Sequence, residues 1–394
     1  MNLISFLKKI QLIISHRNNY LFSLDLKKSK KYLKAFEEPK NNVERSYFQY
    51  LCQIRFRSKI LNLIINIISV PIFYYCCNKY TKKIKTDSNN NVCAVFIPDG
   101  KDITVIPKSL FNKIDKIVRV ESEKLILLKK DIDFIFNIKK RYNFEYEFLL
   151  KNLIKIAKYR AIMTEYPNIK FIIVCAEYSY TSSILTEWCH FNEVLHINVM
   201  HGEKLFYIRD SFFCFDKCYV WDNYYKELFI KLRAFKEQFI VEIPPMLNFT
   251  NNKKIMKKYK FTYYLQGIES KKELKIILNC LTNLTALKND CKVISVRPHP
   301  RYSNLQVIKK VFGEKVNVEE NTIVSIEESI LRTENVISLY STVLNQAFYN
   351  NINVIIDDIS NNERFKKLKS LEYRFILNNN FKKFSDILYK KEDK

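Results

Sequence analysis

Glycine is scarce, four residues in 394. Neither G-x-G-x-x-G nor G-x-x-x-x-G-K occurs, so any bound phosphate must be held by helix termini and side chains. H-E-x-x-H, C-x-x-C and G-x-S-x-G are also missing, which removes the usual zinc and serine-hydrolase signatures. The ten cysteines are scattered, apart from adjacent Cys76-Cys77 and the loose Cys214/Cys218 pair. Lying mostly in apolar runs, they read as buried thiols of a reducing cytoplasm. Tryptophan is down to two, and no zinc spacing or recognition motif points to nucleic acid. The first apolar run, Ile10 to Ile14, is too short for a cleaved leader and is followed by Ser-His-Arg.

Acidic residues are the other shortage: 66 lysines and arginines face 41 aspartates and glutamates, a net charge of +25. The excess is spread over candidate helix faces rather than gathered in an arm. That suits an anionic membrane surface or a polyanionic substrate, and no nucleic-acid partner is expected. Ile60 to Cys77 holds 18 residues without a charge, flanked by Arg55, Arg57, Lys59, Lys79, Lys82 and Lys83. It is barely as long as a bilayer crossing, and Asn62, Asn66 and Pro71 interrupt it, so the expectation is an interfacial or core helix.

What is present in abundance is strand–helix alternation. Residues 1–88 read as a basic helical region and Thr86 to Asn91 as a linker. An α/β unit spans 89–247, with strands at Val92–Ile97, Ile103–Ile106, Ile117–Val120, Leu125–Leu128, Lys170–Cys175, Leu195–Met200, Phe215–Trp221 and Phe239–Ile243. One long helix is expected over Asp133–Thr164. After a linker at Asn248–Lys258, a second α/β unit covers 259–394, its strands at Phe261–Gln266, Val293–Val296, Asn335–Leu339 and Asn353–Ile356. The pattern predicts two Rossmann-like domains with parallel sheets and an active site in the cleft between them.

Ligands of such sheets bind beyond the carboxyl ends of the strands, and polar clusters sit there. The Val293 strand runs into Arg297-Pro298-His299-Pro300-Arg301, where the prolines stiffen the loop. The Asn335 strand leads to Ser341-Thr342 at a helix start, a place for a phosphate as well as an ordinary N-cap. The Leu195 strand leads to His201-Gly202-Glu203, where Gly202 is expected to give a sharp turn. The Phe261 strand ends at Gly267. Arg297 has two readings, a charge on the phosphate or a structural ion pair. Asp131-Ile-Asp133 has the form of a metal-binding Asp-x-Asp but lies where aspartate caps a helix, so no metal is expected.

His299-Pro300 and Ser341-Thr342 resemble the His-Pro and Ser-Ser/Thr motifs of bacterial sialyltransferases of the two-domain GT-B fold, including lipooligosaccharide (glycosyltransferase family 52) and polysialic acid enzymes. The order His-Gly, Arg-Pro-His-Pro, Ser-Thr is also similar to CDP-glycerol glycerophosphotransferases. The sialyltransferase resemblance implies an inverting, metal-independent transfer of sialic acid or a related nonulosonic acid from a CMP-activated donor to a surface glycan or glycolipid, such as lipooligosaccharide, O-antigen or capsule. It needs no separate cofactor, and it implies a peripheral location at the inner face of the bacterial cell membrane. Arg297, His299, Pro300, Ser341, Thr342 and Gly267 would hold the donor. The family's acidic motif is missing, so Glu203 stands as the expected base, with His201 second and Glu177 and Asp210 in reserve. A CDP-glycerol transferase, a non-catalytic membrane-attached scaffold and an RNA-binding protein are the competing readings.

Overall fold

The computed structural model describes residues 25–79, 92–98, 100–114, 116–121, 123–249, 255–286, 294–313, 315–377 and 380–389. The linker at Thr86–Asn91 and the Ile10–Ile14 run lie outside them. By packing, the chain divides into two units. One comprises Leu33–Gly202 and Ile208–Thr250; the other comprises Met1–Tyr32, Glu203–Tyr207 and Asn251–Lys394.

The first unit opens with helices α1 (Asn42–Ile54) and α2 (Lys59–Asn78). Strands β1 (Ala94–Ile97) and β2 (Ile117–Arg119) follow, then helices α3 (Lys129–Lys139) and α4 (Tyr146–Glu165). Next come β3 (Phe171–Val174), helix α5 (Ser182–Phe191), β4 (Leu195–Val199), β5 (Lys217–Val220) and β6 (Phe239–Val241). All pairings are parallel, in the order β2-β1-β3-β4-β5-β6. Strand order reverses between β1 and β3, so the crevice of this sheet lies at their carboxyl ends.

Three local expectations fail here, each for a polar reason. Ile103–Val105 is a single 3₁₀ turn rather than a strand, because the Asp102 carboxylate accepts Thr104 N–H at 2.9 Å and closes an Asx turn. Leu125–Leu128 pairs with no strand: Ile126 N–H goes to the Ala157 carbonyl, and Leu128 N–H to the Asp131 carboxylate. The long Asp133–Thr164 helix is broken into α3 and α4, and Asn66 of α2 caps the second piece. Its side chain accepts Glu147 N–H at 3.0 Å and donates to the Phe144 carbonyl.

The second unit contains β7 (Tyr259–Tyr264), α6 (Lys271–Ala286), β8 (Ile294–Arg297), α7 (Leu305–Phe312) and β9 (Asn317–Val318). It continues through α8 (Ile326–Leu331), β10 (Thr333–Ser338), α9 (Thr342–Tyr349), β11 (Asn353–Ile356), α10 (Asn362–Ser370) and β12 (Lys382–Lys383). The parallel sheet runs β12-β11-β10-β7-β8-β9. This is the Rossmann order, with its switch point between β7 and β10. Phe261, Tyr263, Ile294, Val296, Ile337 and Ile355 bury one core against α6 and α7. Two Rossmann-like α/β units are therefore present, as the alternation of the sequence predicts.

Candidate functional site

In the second unit, β10 delivers the chain through Leu339-Tyr340 to Ser341 at the switch point. Ser341 is the N-cap of α9: its backbone is extended (φ −164°, ψ 147°) and its hydroxyl accepts Val343 N–H at 3.2 Å. Leu344 N–H is given to the Ser341 carbonyl at 3.2 Å, so what the first turn offers an anion is Thr342 N–H and the positive end of the helix.

The end of β8, on the far side of β7 from β10, carries His299. Its Nδ1 accepts Arg301 N–H at 3.1 Å, which leaves any ring proton of the neutral form on Nε2. The ring stacks on Tyr302 with centroids 4.7 Å apart, and His299 N–H donates to the Ser303 hydroxyl at 2.8 Å. Burial, then the charge of Arg301, hold its pKa below the ordinary histidine value.

Gly267 follows β7 with φ +78°, and a Cβ there would lie 2.5 Å from Tyr302 Cβ and 2.7 Å from its carbonyl carbon. Only glycine lets the β7 loop press against the His299 loop. The Glu269 carboxylate fastens the same turn, accepting Gln266 N–H at 2.5 Å and Gly267 N–H at 2.8 Å.

Two expected residues have other partners. Arg297 is buried, pairs with Glu319 at 2.9 Å and donates to the Val324 carbonyl at 2.8 Å, which is the structural one of its two readings. Pro300 is exposed at the loop tip. Glu203 packs with the second unit, where its carboxylate accepts a hydrogen bond from the Asn345 side chain on α9. Arg374 Nη1 donates to the other end of that amide at 3.0 Å and to Tyr349 Oη at 2.9 Å. Asn345 and Arg374 carried no sequence signal beyond Asn345 lying one helical turn past Thr342.

In the first unit, β3 and β4 are neighbours, and their carboxyl ends bring Glu177 and His201 together. His201 Nδ1 lies 3.7 Å from Glu177 Oε1, with Glu177 fully buried and His201 partly exposed. From α1, Gln49 donates to the Glu177 carbonyl at 2.9 Å and the Arg209 carbonyl at 2.8 Å; Gln53 donates to the Tyr178 carbonyl at 2.8 Å. That clamp fixes the β3 loop. Tyr178 stands edge-on to His201 at 6.4 Å, and the Arg209 guanidinium lies 5.5 Å from the centre of the Tyr178 ring. Asp210 is buried and accepts from Arg209 Nε at 3.3 Å. Gly202 corrects an expectation: it is not among the positive-φ residues, and a Cβ there would meet nothing within 4 Å. The turn needs no glycine.

Asp131 is structural. Its carboxylate binds Arg160 through Nε at 3.0 Å and Nη2 at 2.8 Å, and accepts Trp188 Nε1–H at 3.0 Å. Among the described residues, no group of three or more His, Cys, Asp or Glu side chains is arranged to hold a metal ion.

No protein-family model matches the chain. No curated protein matches it either. Among solved structures it is similar to S. aureus MnaA with UDP, at 11% identity over 67% of this chain and 79% of that one, with a TM-score of 0.43. It is also similar to the Methanocaldococcus jannaschii UDP-GlcNAc 2-epimerase in complex with UDP-GlcNAc and UDP, at 12% identity over 71% and 92%, with a TM-score of 0.42. A variant of the wall teichoic acid polymerase TagF aligns at 12% identity over 82% of each chain, with a TM-score of 0.37.

Proposed function

We propose that the chain is a glycosyltransferase of GT-B type, transferring sialic acid or a related nonulosonic acid from a CMP-activated donor to a surface glycan. The observation that carries this reading is the pairing of His201 with a fully buried Glu177 at adjacent strand ends. A carboxylate fixed beside an imidazole is the arrangement of a general base with its orienting partner. Here His201 takes the proton of the acceptor hydroxyl, and Glu177 stabilises the imidazolium that forms. Glu203, engaged by Asn345, is a positioning residue for α9 rather than the base.

The donor half of the chemistry belongs to the second unit. The first turn of α9 and Thr342 receive the phosphate, and His299, neutral in the free protein, donates from Nε2 to the departing CMP oxygen. Gly267 supplies the close approach of the two loops, and Arg297 holds the His299 loop through Glu319. Nucleotide release from a panel of CMP-, CDP- and UDP-linked donors tests the reading. Release of CMP with transfer supports it, release from CDP-glycerol alone replaces it with the glycerophosphotransferase reading, and release from none overturns it.

We propose further that this enzyme works at the inner face of the membrane. Helix α2 has 20 residues and is long and apolar enough to cross a bilayer, yet one side of it is tied to α4 through Asn66, and Phe73 is fully buried. Its other side is bare: Ile60 is 73% exposed, Leu63 61% and Ile67 59%, with Ile64, Ile68 and Tyr75 completing the stripe. A helix bound on one side and apolar on the other lies in the interface plane. The net charge of +25 adds attraction to anionic headgroups.

A further inference from the structure

The bare side of α2 is not uniform along its length. Ile60, Ile64 and Ile67 are exposed aliphatic positions on one side of the helix. At 1.5 Å per residue that stripe runs about 22 Å before it reaches Tyr75. There the chemistry changes, with Tyr74 39% and Tyr75 53% exposed. Tyr74 Oη and Tyr146 Oη, the latter from the first residue of α4, form a hydrogen bond of 3.2 Å, and their ring centroids lie 6.0 Å apart. Lys139, in the last turn of α3, sets its Nζ 5.7 Å from the centre of the Tyr146 ring. Phe73 is fully buried, with its ring 5.7 Å from that of Tyr146, so the group is built on the core. Lys79 repeats the pairing one turn after Tyr75, its Nζ 5.1 Å from the centre of that ring.

Aliphatic residues along a one-sided helix, with tyrosines and lysines at its end, follow the layering of a bilayer surface from acyl chains to phosphates. A tyrosine puts its ring among the chains and its hydroxyl among the headgroups, and a lysine beside the ring lifts its ammonium to the same level. Two hydrogen-bonded phenols use one proton between them, so the second phenol proton and those of the ammonium can be accepted by one oxyanion. We propose that Lys139, Tyr74 and Tyr146 seat the phosphate of an anionic phospholipid where the carboxyl end of α2 meets the headgroup layer. The lipid as the source of that phosphate rests on the reading of α2 above as an interfacial helix.

The test is sedimentation of the full chain with vesicles of phosphatidylcholine alone and of phosphatidylcholine mixed with phosphatidylglycerol. Wild-type chain should favour the mixed vesicles. Tyr74→Phe with Tyr146→Phe keeps every charge and both rings, so this variant should bind phosphatidylcholine like wild type, which shows that it is folded. It should bind the mixed vesicles at least about tenfold more weakly. Lys139→Met should lose at least about fivefold more than Lys59→Met, which removes an equal charge from the opposite end of the stripe. Equal losses at Lys139 and Lys59, or wild-type affinity for the mixed vesicles in the tyrosine variant, overturns the seat and leaves charge attraction alone. Equal affinity of the wild-type chain for the two vesicles overturns it as well. Glycerophosphoglycerol, the same headgroup without acyl chains, should leave the chain on the vesicles; release by it assigns the seat to a soluble phosphate ester and overturns the lipid. The reading of α2 fails by a different result, pelleting that survives Ile64→Glu with Ile67→Glu, whatever Lys139 does.

Discussion

The side-chain amide of Asn345 donates to the carboxylate of Glu203 across 142 positions of sequence. A carboxylate so engaged, with Arg374 polarising the amide from its other end at 3.0 Å, ties the Glu203 segment to α9.

That relationship sets the first prediction. Glutamine at position 203 still offers Asn345 an oxygen, so Glu203→Gln should keep single-turnover transfer within about tenfold, a barrier change under about 1.4 kcal/mol. His201→Asn should cost about 10² to 10⁴ in the same assay, the usual worth of a positioned general base. A loss of that size in Glu203→Gln, with His201→Asn active, reverses the two roles.

Ser341 offers a cleaner separation of cap from ligand than alanine does. Aspartate caps a helix as well as serine, so Ser341→Asp should leave the thermal midpoint within about 2 °C of wild type. Its new negative charge should nevertheless repel the donor phosphate and weaken CMP binding at least about tenfold. Unaltered CMP affinity by calorimetry removes the α9 terminus from the donor site.

His299 carries a pH signature. Burial and Arg301 hold it below its ordinary value, whereas a phosphate dianion beside it raises that value. CMP binding at pH 6.5 should therefore take up a fraction of a proton, measured by calorimetry in buffers of different ionisation enthalpy. The uptake should vanish in His299→Gln.

His196 should dominate part of the acid denaturation. It is fully buried between Tyr159 Oη at 3.0 Å and Thr186 Oγ1 at 2.9 Å, and burial pushes its pKa down to about 3. Unfolded, it titrates near about 6.5. The folded state binds the proton less well, so its contribution is complete above about pH 6.5 and is lost as pH falls toward 3, at up to about 1.4 kcal/mol per pH unit. Denaturant titrations between pH 7 and 4 should show that slope, and His196→Asn, whatever its own stability, should flatten it.

Membrane attachment is checked by sedimentation with vesicles. Wild-type chain should pellet with anionic vesicles and be released partly by high salt, since each basic residue near the surface contributes about 1 kcal/mol. Ile64→Glu with Ile67→Glu should abolish pelleting at low salt; pelleting that survives both changes places attachment elsewhere.

Much of this molecule was legible in its sequence because short β-branched runs ended sharply. The runs leading to His299, Ser341 and His201 all became parallel strands, and their polar followers all lie at carboxyl ends. What stayed hidden depended on partners far along the chain. Nothing near Glu203 marks Asn345 or Arg374, and nothing marks Lys139 among so many lysines as the one that meets Tyr146. The Ile103 turn and the break before α4 were missed because single side chains, Asp102 and Asn66, outweigh apolar pattern when they satisfy a backbone N–H.

The short segment Glu203–Tyr207 has a practical consequence for anyone cutting this protein apart. It belongs with residues more than forty positions later: Phe206 N–H donates to the Leu371 carbonyl at 2.9 Å, besides the Glu203–Asn345 tie. No single cleavage point separates the units. A fragment starting at Asn251 would strip α9 and the Leu371 turn of their partners, so expressed alone it should fail to form an independently stable piece.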